Sequence, residues 1–540
     1  MNKISGNIYD TLKNCFFKGT IFYEDKIFKI EEDLSVKEDQ YIIPGLIDSH
    51  IHIESSMLTP LEYSKIALKH GVIGAITDPH EIANVCGIEG IDFMIRSANL
   101  TPMKIFIGAP SCVPATPFET SGAIIKSNDI KYLFEKLKCS HLSEMMNFPG
   151  VINNNQEVLE KLDIAKSLKK NIDGHAPLLT GEKLDKYISA GISTEHESIS
   201  LEEAKEKISK GMKIFIREST AAQGFNKMHE LISSDADSIM FCTDDCHPYD
   251  LENHYIDDLF RRSLKQGHSI SNIIKVSSKN AVTHYNLDFG LLRINDYADF
   301  IVVNNFKDFS IKKVVVNGIE VFDGIELKFN TTDDTIINKF YSNSISETDL
   351  KVPKIGNSIN VIQAFDNSLI TRQFKFKVDF MNNFIEPSID KDILKIVVLN
   401  RYSKAKPSIG FIKGFKIKEG AIGSSIAHDS HNLIAIGTSD TYICRVLEIL
   451  QKAKGGIAYV NNKFSDVLTL QIGGLMSLES AKFVSEKYSK LNYQISKMGC
   501  KMKNPFITLS FMALLVIPEL KIGDKGLFDV TKFEFIDLQY

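Results

Sequence analysis

His50 and His52 stand two apart in GLIDSHIHIESS, directly after the apolar run YIIPGLI. In a strand, residues two apart share a face. Two imidazoles on one face suit a divalent cation better than an apolar core. Donors of the same kind recur downstream: Glu144 in SEMMNFPG, His175 in DGHAP, His196 in TEHES, and the adjacent acids Asp244 and Asp245 in CTDDCHP. Four histidines and two carboxylates fit two divalent ions, with a carboxylate such as Glu144 able to bridge them. A bridged pair of cations holds hydroxide near neutral pH, which is chemistry for hydrolysis. The residue types alone leave open whether Asp244 or Asp245 is the ligand.

Such donors, far apart in sequence, need a scaffold that gathers them. Eight strand-like runs supply one: IIPGLIDSHIH, VIGAITDPHE, MKIFIGAP, HLSEMM, NIDGHAP, GISTEHE, MKIFIREST and SIMFCTDD. Helical stretches such as LEYSKIALKHG and NQEVLEKLDIAKSLKK separate most of them. The pattern predicts an α/β chain with a TIM-like (β/α)8 barrel over residues 44–285. An open doubly wound sheet is the other arrangement with this order. In the barrel, catalytic groups come from the C-terminal ends of different strands, where these donors stand. No Gly-rich phosphate loop follows the first run, which disfavours a nucleotide cofactor.

The flanks read differently. Short β-rich runs in 1–43 and again in 286–345 predict one small β-sandwich domain split by the barrel. Residues 353–540 mix glycine-bounded strands with helices such as TYICRVLEILQKA and predict a C-terminal α/β or α+β domain. The Asn/Ser-rich stretch Asn343–Asn360 is the expected linker.

Composition sets outer limits. The chain has 540 residues, 44% hydrophobic and 24% charged, with a formal net charge of -5, ordinary values for a globular enzyme. Acids and bases are mixed, so no nucleic-acid tail or polybasic membrane patch is expected. MNKISGNIYD has no apolar signal core, and FITLSFMALLVIP is too short to span a bilayer. The eight cysteines have no repeating spacing and read as reduced thiols of a cytoplasmic protein.

PGLIDSHIHIESS, PHEIANVCG, EMMNFPGV, DGHAP, TEHES, TDDCHP and, downstream, IAHDSHNLIAIG and NPFITLSFMALLVIPELKIGDKGLFDV resemble the amidohydrolase superfamily. Within it they resemble the adenine deaminases, along nearly the whole chain. The glutamate in the fourth run discriminates among amidohydrolases, because many of them carry a modified lysine there. The resemblance implies a binuclear centre held by His50, His52, Glu144, His175, His196 and Asp244. It implies Mn(2+), two ions per chain, with Fe(2+) or Zn(2+) as alternatives that the same ligand types accommodate.

The reaction so implied is hydrolysis of adenine to hypoxanthine and ammonia, in purine salvage, with metal-bound hydroxide attacking C6. Asp244 takes the proton from the attacking water, and His80 and Glu81 shuttle protons to the ring and the departing amine. Asp245, Arg217, Glu218 and His428 are expected to contact substrate, while Glu54 and His247 support the inner residues from behind. Asp245 is expected to face away from the ions. The family's Arg-Glu-Gly-Ser stretch reads Arg217-Glu218-Ser219-Thr220 here, a departure that bears on the seventh loop.

Other functions fit less well. The zinc deaminases of nucleosides and nucleic acids need H-x-E followed by P-C-x-x-C. His52-Ile53-Glu54 matches the first half, but Cys112 after Pro110-Ser111 has no partner at the required spacing. A cyclic amide hydrolase, hydantoinase- or dihydropyrimidinase-like, would use the same barrel and nucleophile. A non-catalytic scaffold that binds partner proteins should have lost ligands, and all six are present. The expected partner is a small purine, with no nucleic acid and no membrane, in a homo-oligomer, a dimer.

Overall fold

The computed structural model describes residues 1–220, 222–366, 368–378 and 383–540. Backbone proximity divides it into two compact units. The first comprises residues 1–79, 92–112 and 126–333, and the second residues 80–91, 113–125 and 334–540.

In the first unit, strands β1 (Asn2–Asp10), β2 (Cys15–Tyr23), β3 (Ile27–Glu32) and β4 (Tyr41–Pro44) open the chain. Eight parallel strands follow: β5 (Leu46–Ile51), β6 (Val72–Thr77), β7 (Lys104–Ile107), β8 (Leu142–Met145), β9 (Ile172–Gly174), β10 (Thr194–Glu195), β11 (Lys213–Arg217) and β12 (Ile239–Cys242). Then β13 (Phe300–Val303), β14 (Ile311–Val316) and β15 (Ile319–Phe322) return to the first four. They complete a seven-stranded sheet in the order β15-β14-β13-β4-β1-β2-β3. β4 lies inside it, parallel to β1 and antiparallel to β13.

The eight runs named from sequence are these eight parallel strands. They form sheets β5-β6-β7, β8-β9 and β10-β11-β12. Backbone bonds also cross the gaps between these sheets. Ala109 N–H donates to the His141 carbonyl at 2.8 Å, Ser193 N–H to Ile172 at 3.0 Å, and Asp244 N–H to His50 at 2.9 Å. β5, β6 and β12 are buried along their whole length, and β6 and β12 read as nearly continuous apolar runs, whereas β5 buries Asp48, Ser49 and His50 as well. Helix Gly181–Ser189 buries one stripe, Leu184 and Tyr187, three apart. Ser200 caps its helix by accepting from Glu203 N–H at 3.2 Å.

The second unit is built on strands β16 (Ser358–Gln363), β17 (Arg372–Lys377), β18 (Leu394–Leu399), β19 (Ser408–Lys413), β20 (Ala421–Ser424), β21 (Leu433–Gly437), β22 (Gly456–Val460) and β23 (Ser465–Thr469). Their order is β17-β16-β19-β18-β21-β20-β22-β23, and all neighbours are antiparallel except β16 with β19. The helix Asp440–Ala453 lays Ile443, Val446, Leu447 and Leu450 on this sheet. The stretch Asn343–Asn360 does not behave as a free linker. Leu350 is fully buried in the same core, and the last three residues already belong to β16. Apolar side chains there outweigh the polar composition that suggested a tether. Among the described residues, no helix is long and apolar enough to cross a membrane.

Candidate metal centre

All six implied ligands lie in the first unit, at or just beyond strand ends. His50 is the penultimate residue of β5 and His52 follows it. Glu144 lies in β8, His175 follows β9, His196 follows β10, and Asp244 stands two past β12. The pairing of β5 with β6 slips between Asp48 and Ile51, so the strand is irregular where the histidines project.

The structure brings the six together. His52 Nε2 is 3.4 Å from Glu144 Oε1 and 3.1 Å from Asp244 Oδ1. His50 Nε2 is 3.6 Å from the same Asp244 oxygen. His175 Nδ1 and His196 Nε2 lie 2.8 Å and 3.2 Å from Glu144 Oε2. The His50 and His196 rings stack at 4.2 Å. Donor atoms of His50, His196 and Asp244, and separately of Glu144, His175 and His196, fall within 4.8 Å of one another.

Two observations test whether these donors fit cations. The Nε2 of His50 is buried and has no hydrogen-bond partner. Leaving a polar atom so costs about 1–3 kcal/mol unless something takes its lone pair. The Nδ1 of His52 lies 3.0 Å from the backbone carbonyl of Asp78, which only accepts. The proton is therefore on Nδ1, and Nε2 offers its lone pair to the site. Burial holds His50 down at about 4, so its imidazole is neutral, as a ligand must be. Burial pulls His52 the same way, but Asp244 and Glu144 overcome it and push it well above the usual histidine range. Burial raises the Glu144 carboxyl, and the charge and hydrogen bond of His175 more than reverse this, holding it well below the ordinary value. His52 is thus held protonated by the Asp244 and Glu144 carboxylates, a proton that a cation would have to displace. The donor set fits divalent cations.

The surrounding residues are placed as follows. Asp244 has φ +59, a left-handed backbone that aspartate adopts more readily than most residues other than glycine. Asp245 does not turn away from the site. One of its oxygens accepts from Ser55 Oγ at 2.5 Å, and it offers a ligand atom within 4.8 Å of those of His52 and Asp244. The left-handed turn at Asp244 breaks the strand alternation that would have separated the two acids.

Arg217 and Glu218 do alternate. Arg217 Nη1 donates to Asp244 Oδ2 at 2.7 Å, and the guanidinium also grips Glu197. Glu218 instead accepts from Arg262 Nη1 at 2.5 Å and from Phe225 N–H at 3.0 Å. Thr220, at the departure from the family stretch, joins the seventh loop to the eighth. Its N–H donates to the Asp245 carbonyl at 3.0 Å, and its hydroxyl donates to Asp250 at 2.7 Å and accepts from His247 N–H at 2.9 Å. His247 immediately precedes the helix Pro248–Asn253 without a side-chain capping bond, and Glu54 is buried in the 3-10 turn Ile53–Ser56. Glu197 and the Asp78 carbonyl were not singled out from sequence. For Glu197 the only signal is its place after His196.

His80, Glu81 and His428 belong to the second unit. His80 and Glu81 open the helix His80–Cys86, with His80 Nε2 3.4 Å from Glu81 Oε1. His428 Nδ1 lies 2.7 Å from Glu81 Oε1, and His431 Nε2 contacts Glu81 Oε2. Ala427 N–H donates to His431 Nδ1 at 3.3 Å, which places the His431 proton on Nε2, facing Glu81. Glu81 is a carboxylate with an imidazole on each oxygen. Its carboxyl is raised by burial but held well below the ordinary range by the three histidines around it.

Comparison with known proteins gives two family matches. Residues 41–321 match the amidohydrolase family, and residues 368–534 match the adenine deaminase C-terminal domain. The chain is 47% identical to an adenine deaminase of Methanosarcina barkeri, covering 100% of this chain and 99% of that one. It is 43% identical to adenine deaminases of Sulfurovum sp. and Borreliella burgdorferi, in each case over 99% of both chains.

Proposed function

The chain belongs to the adenine deaminase family, and from that premise we propose that it hydrolyses adenine to hypoxanthine and ammonia. The observation that carries this is the full-length 47% identity, joined to an intact set of six converging donors.

His50, His52, Glu144, His175, His196 and Asp244 would hold two divalent cations, for which we propose Mn(2+). Bound cations supply the positive charge that acidifies water near neutral pH. The protein's own side chains handle the protons. Asp244 accepts the proton lost by the attacking water. His80 supplies a proton to the ring and the leaving amine, and Glu81, gripped by His428 and His431, lies beside it to pass protons on. Asp245 is anchored by Ser55 and is left to contact substrate.

We read β5 to β12 as one closed (β/α)8 barrel spanning residues 44–285. The backbone bonds from Ala109, Ser193 and Asp244 across the three sheet edges support closure. The flanking β-domain is then 1–43 with 286–345, and the C-terminal domain is 353–540. We also propose a cytoplasmic homodimer.

The test is to supply purified protein with Mn(2+), incubate it with adenine, adenosine or cytosine, and follow ammonia. Ammonia from adenine is expected. Release from adenosine or cytosine with none from adenine rejects the assignment.

A further inference from the structure

Four carboxylates crowd the candidate centre: Glu144, Asp244, Asp245 and Glu197. Glu197 Oε1 is 3.8 Å from His196 Nε2 and 3.9 Å from His175 Nδ1, close enough to compete for the same cations. One guanidinium stands among these acids. Arg217 Nη2 donates to Glu197 Oε2 at 3.0 Å, Nη1 contacts Glu197 Oε1, and Nη1 also donates to Asp244 Oδ2 at 2.7 Å. The arginine side chain is 11% exposed and those of Glu197 and Asp244 are 15% and 8%. Water therefore screens these contacts little.

Both oxygens of Glu197 and one oxygen of Asp244 are thus occupied. The oxygens that face the histidines without a contact to Arg217 are Asp244 Oδ1, the two of Glu144 and one of Asp245. We infer that Arg217 is a positioning residue that selects which carboxylate oxygens reach the cations, withholding Glu197 altogether and restricting Asp244 to its Oδ1. The fork geometry matters. A guanidinium spans two carboxylates with fixed donors, whereas a lysine ammonium is one mobile point charge. Neighbouring elements make the arrangement rigid. Arg217 ends β11, Glu197 follows β10 by two residues, and Asp244 is tied to β5 through its N–H bond to His50.

This assignment rests on Asp244 being a metal ligand, so the experiment separates the two. Wild type, Arg217→Gln, Arg217→Lys and Asp244→Asn are loaded with Co(II). Visible absorption, cobalt content and the rate of release to a chelator are recorded for each. Freed carboxylate oxygens should enter coordination in Arg217→Gln, lowering band intensity and changing the release rate about 10- to 100-fold. Arg217→Lys should fall between Arg217→Gln and wild type. Adding Glu197→Gln to Arg217→Gln should reverse part of the change, because the intruding carboxylate is gone. A residue that merely braced the fold would move the melting temperature and leave the cobalt spectrum alone. If Arg217→Gln does not fold, Arg217→Lys carries the same test. Cobalt content and spectrum unchanged in Asp244→Asn would overturn the ligand reading and this assignment with it. Cobalt loss in Asp244→Asn with wild-type spectra and release in the folded Arg217 variants would overturn the positioning role alone. A raised KM for adenine in those variants would then make Arg217 a substrate contact.

Discussion

Ser55 Oγ donates to Asp245 Oδ1 at 2.5 Å, joining the loop after the first strand of the parallel set to the loop after the last. Asp245 is thereby held beside Asp244, whose own contacts run to His50, His52 and Arg217. The two acids should respond differently to removal of charge. Asp244→Asn is expected to keep the fold, lose metal, and lower kcat by more than the roughly 10- to 100-fold typical of residues that only support a ligand. Asp245→Asn should retain metal and lose rate more moderately. Metal content and kcat measured on both variants decide it, and the reverse pattern would move the ligand to Asp245.

Freshly purified protein should carry two divalent ions per chain by elemental analysis, and chelation should abolish ammonia release. Full activity at near-zero metal would contradict the binuclear centre. His50→Ala should lose metal along with rate, because the orphaned Nε2 has no other partner.

Lys521 provides a pH-dependent stability far from this chemistry. It is fully buried, its ammonium donates to the carbonyls of Leu369 and Phe511 at 2.8 and 2.9 Å, and burial lowers it to about 7 from 10.5. Between those two values the unfolded chain holds a proton that the folded chain does not. Stability should therefore climb as pH rises from about 7 toward 10.5, by about 5 kcal/mol at most. Below about 7 both states are protonated and the cost of burial is present in full. Urea midpoints across this range should rise in wild type and stay flatter in Lys521→Met. Equal slopes would show that Lys521 is not the group responsible.

The buried pair Lys395 and Asp440 should show the asymmetry of broken ion pairs. Lys395 donates to Asp440 Oδ1 and to the Leu350 carbonyl at 2.9 Å, and Lys351 reaches Asp440 Oδ2 at 2.9 Å. Asp440→Ala strands a buried ammonium and should cost about 3–5 kcal/mol. Lys395→Met/Asp440→Leu should recover much of that loss in thermal melts.

Strand identity was legible because β6 and β12 are nearly continuous apolar runs and β5 is entered through the apolar run YIIPGLI, each followed by chemically unusual residues. What the donors contact was less legible. Arg217 and Glu218 are adjacent in sequence, yet strand alternation sends one to Asp244 and the other to Arg262. Asp245 escapes that alternation because Asp244 adopts a left-handed backbone, which no local sequence signal announced. Glu197 acquires its place only when β10 and β11 align in parallel, with Glu195 opposite Ile214. The Asp78 carbonyl that sets the His52 tautomer is a backbone group, invisible to residue type.

The seven-stranded sheet has a consequence for synthesis. β4 is an interior strand whose partner on one side, β13, pairs Val302 with Ile42. A nascent chain that has not yet reached β13 holds β4 as an edge, with a row of unpaired backbone groups beside apolar Ile42 and Ile43. Closing that edge requires joining segments separated by the whole set of parallel strands, a long loop that forms slowly. The first strands made are among the last to be sealed. A fragment ending between β12 and β13 would keep all six donors yet remain prone to edge-to-edge association, whereas one ending beyond β15 would not carry that exposed seam.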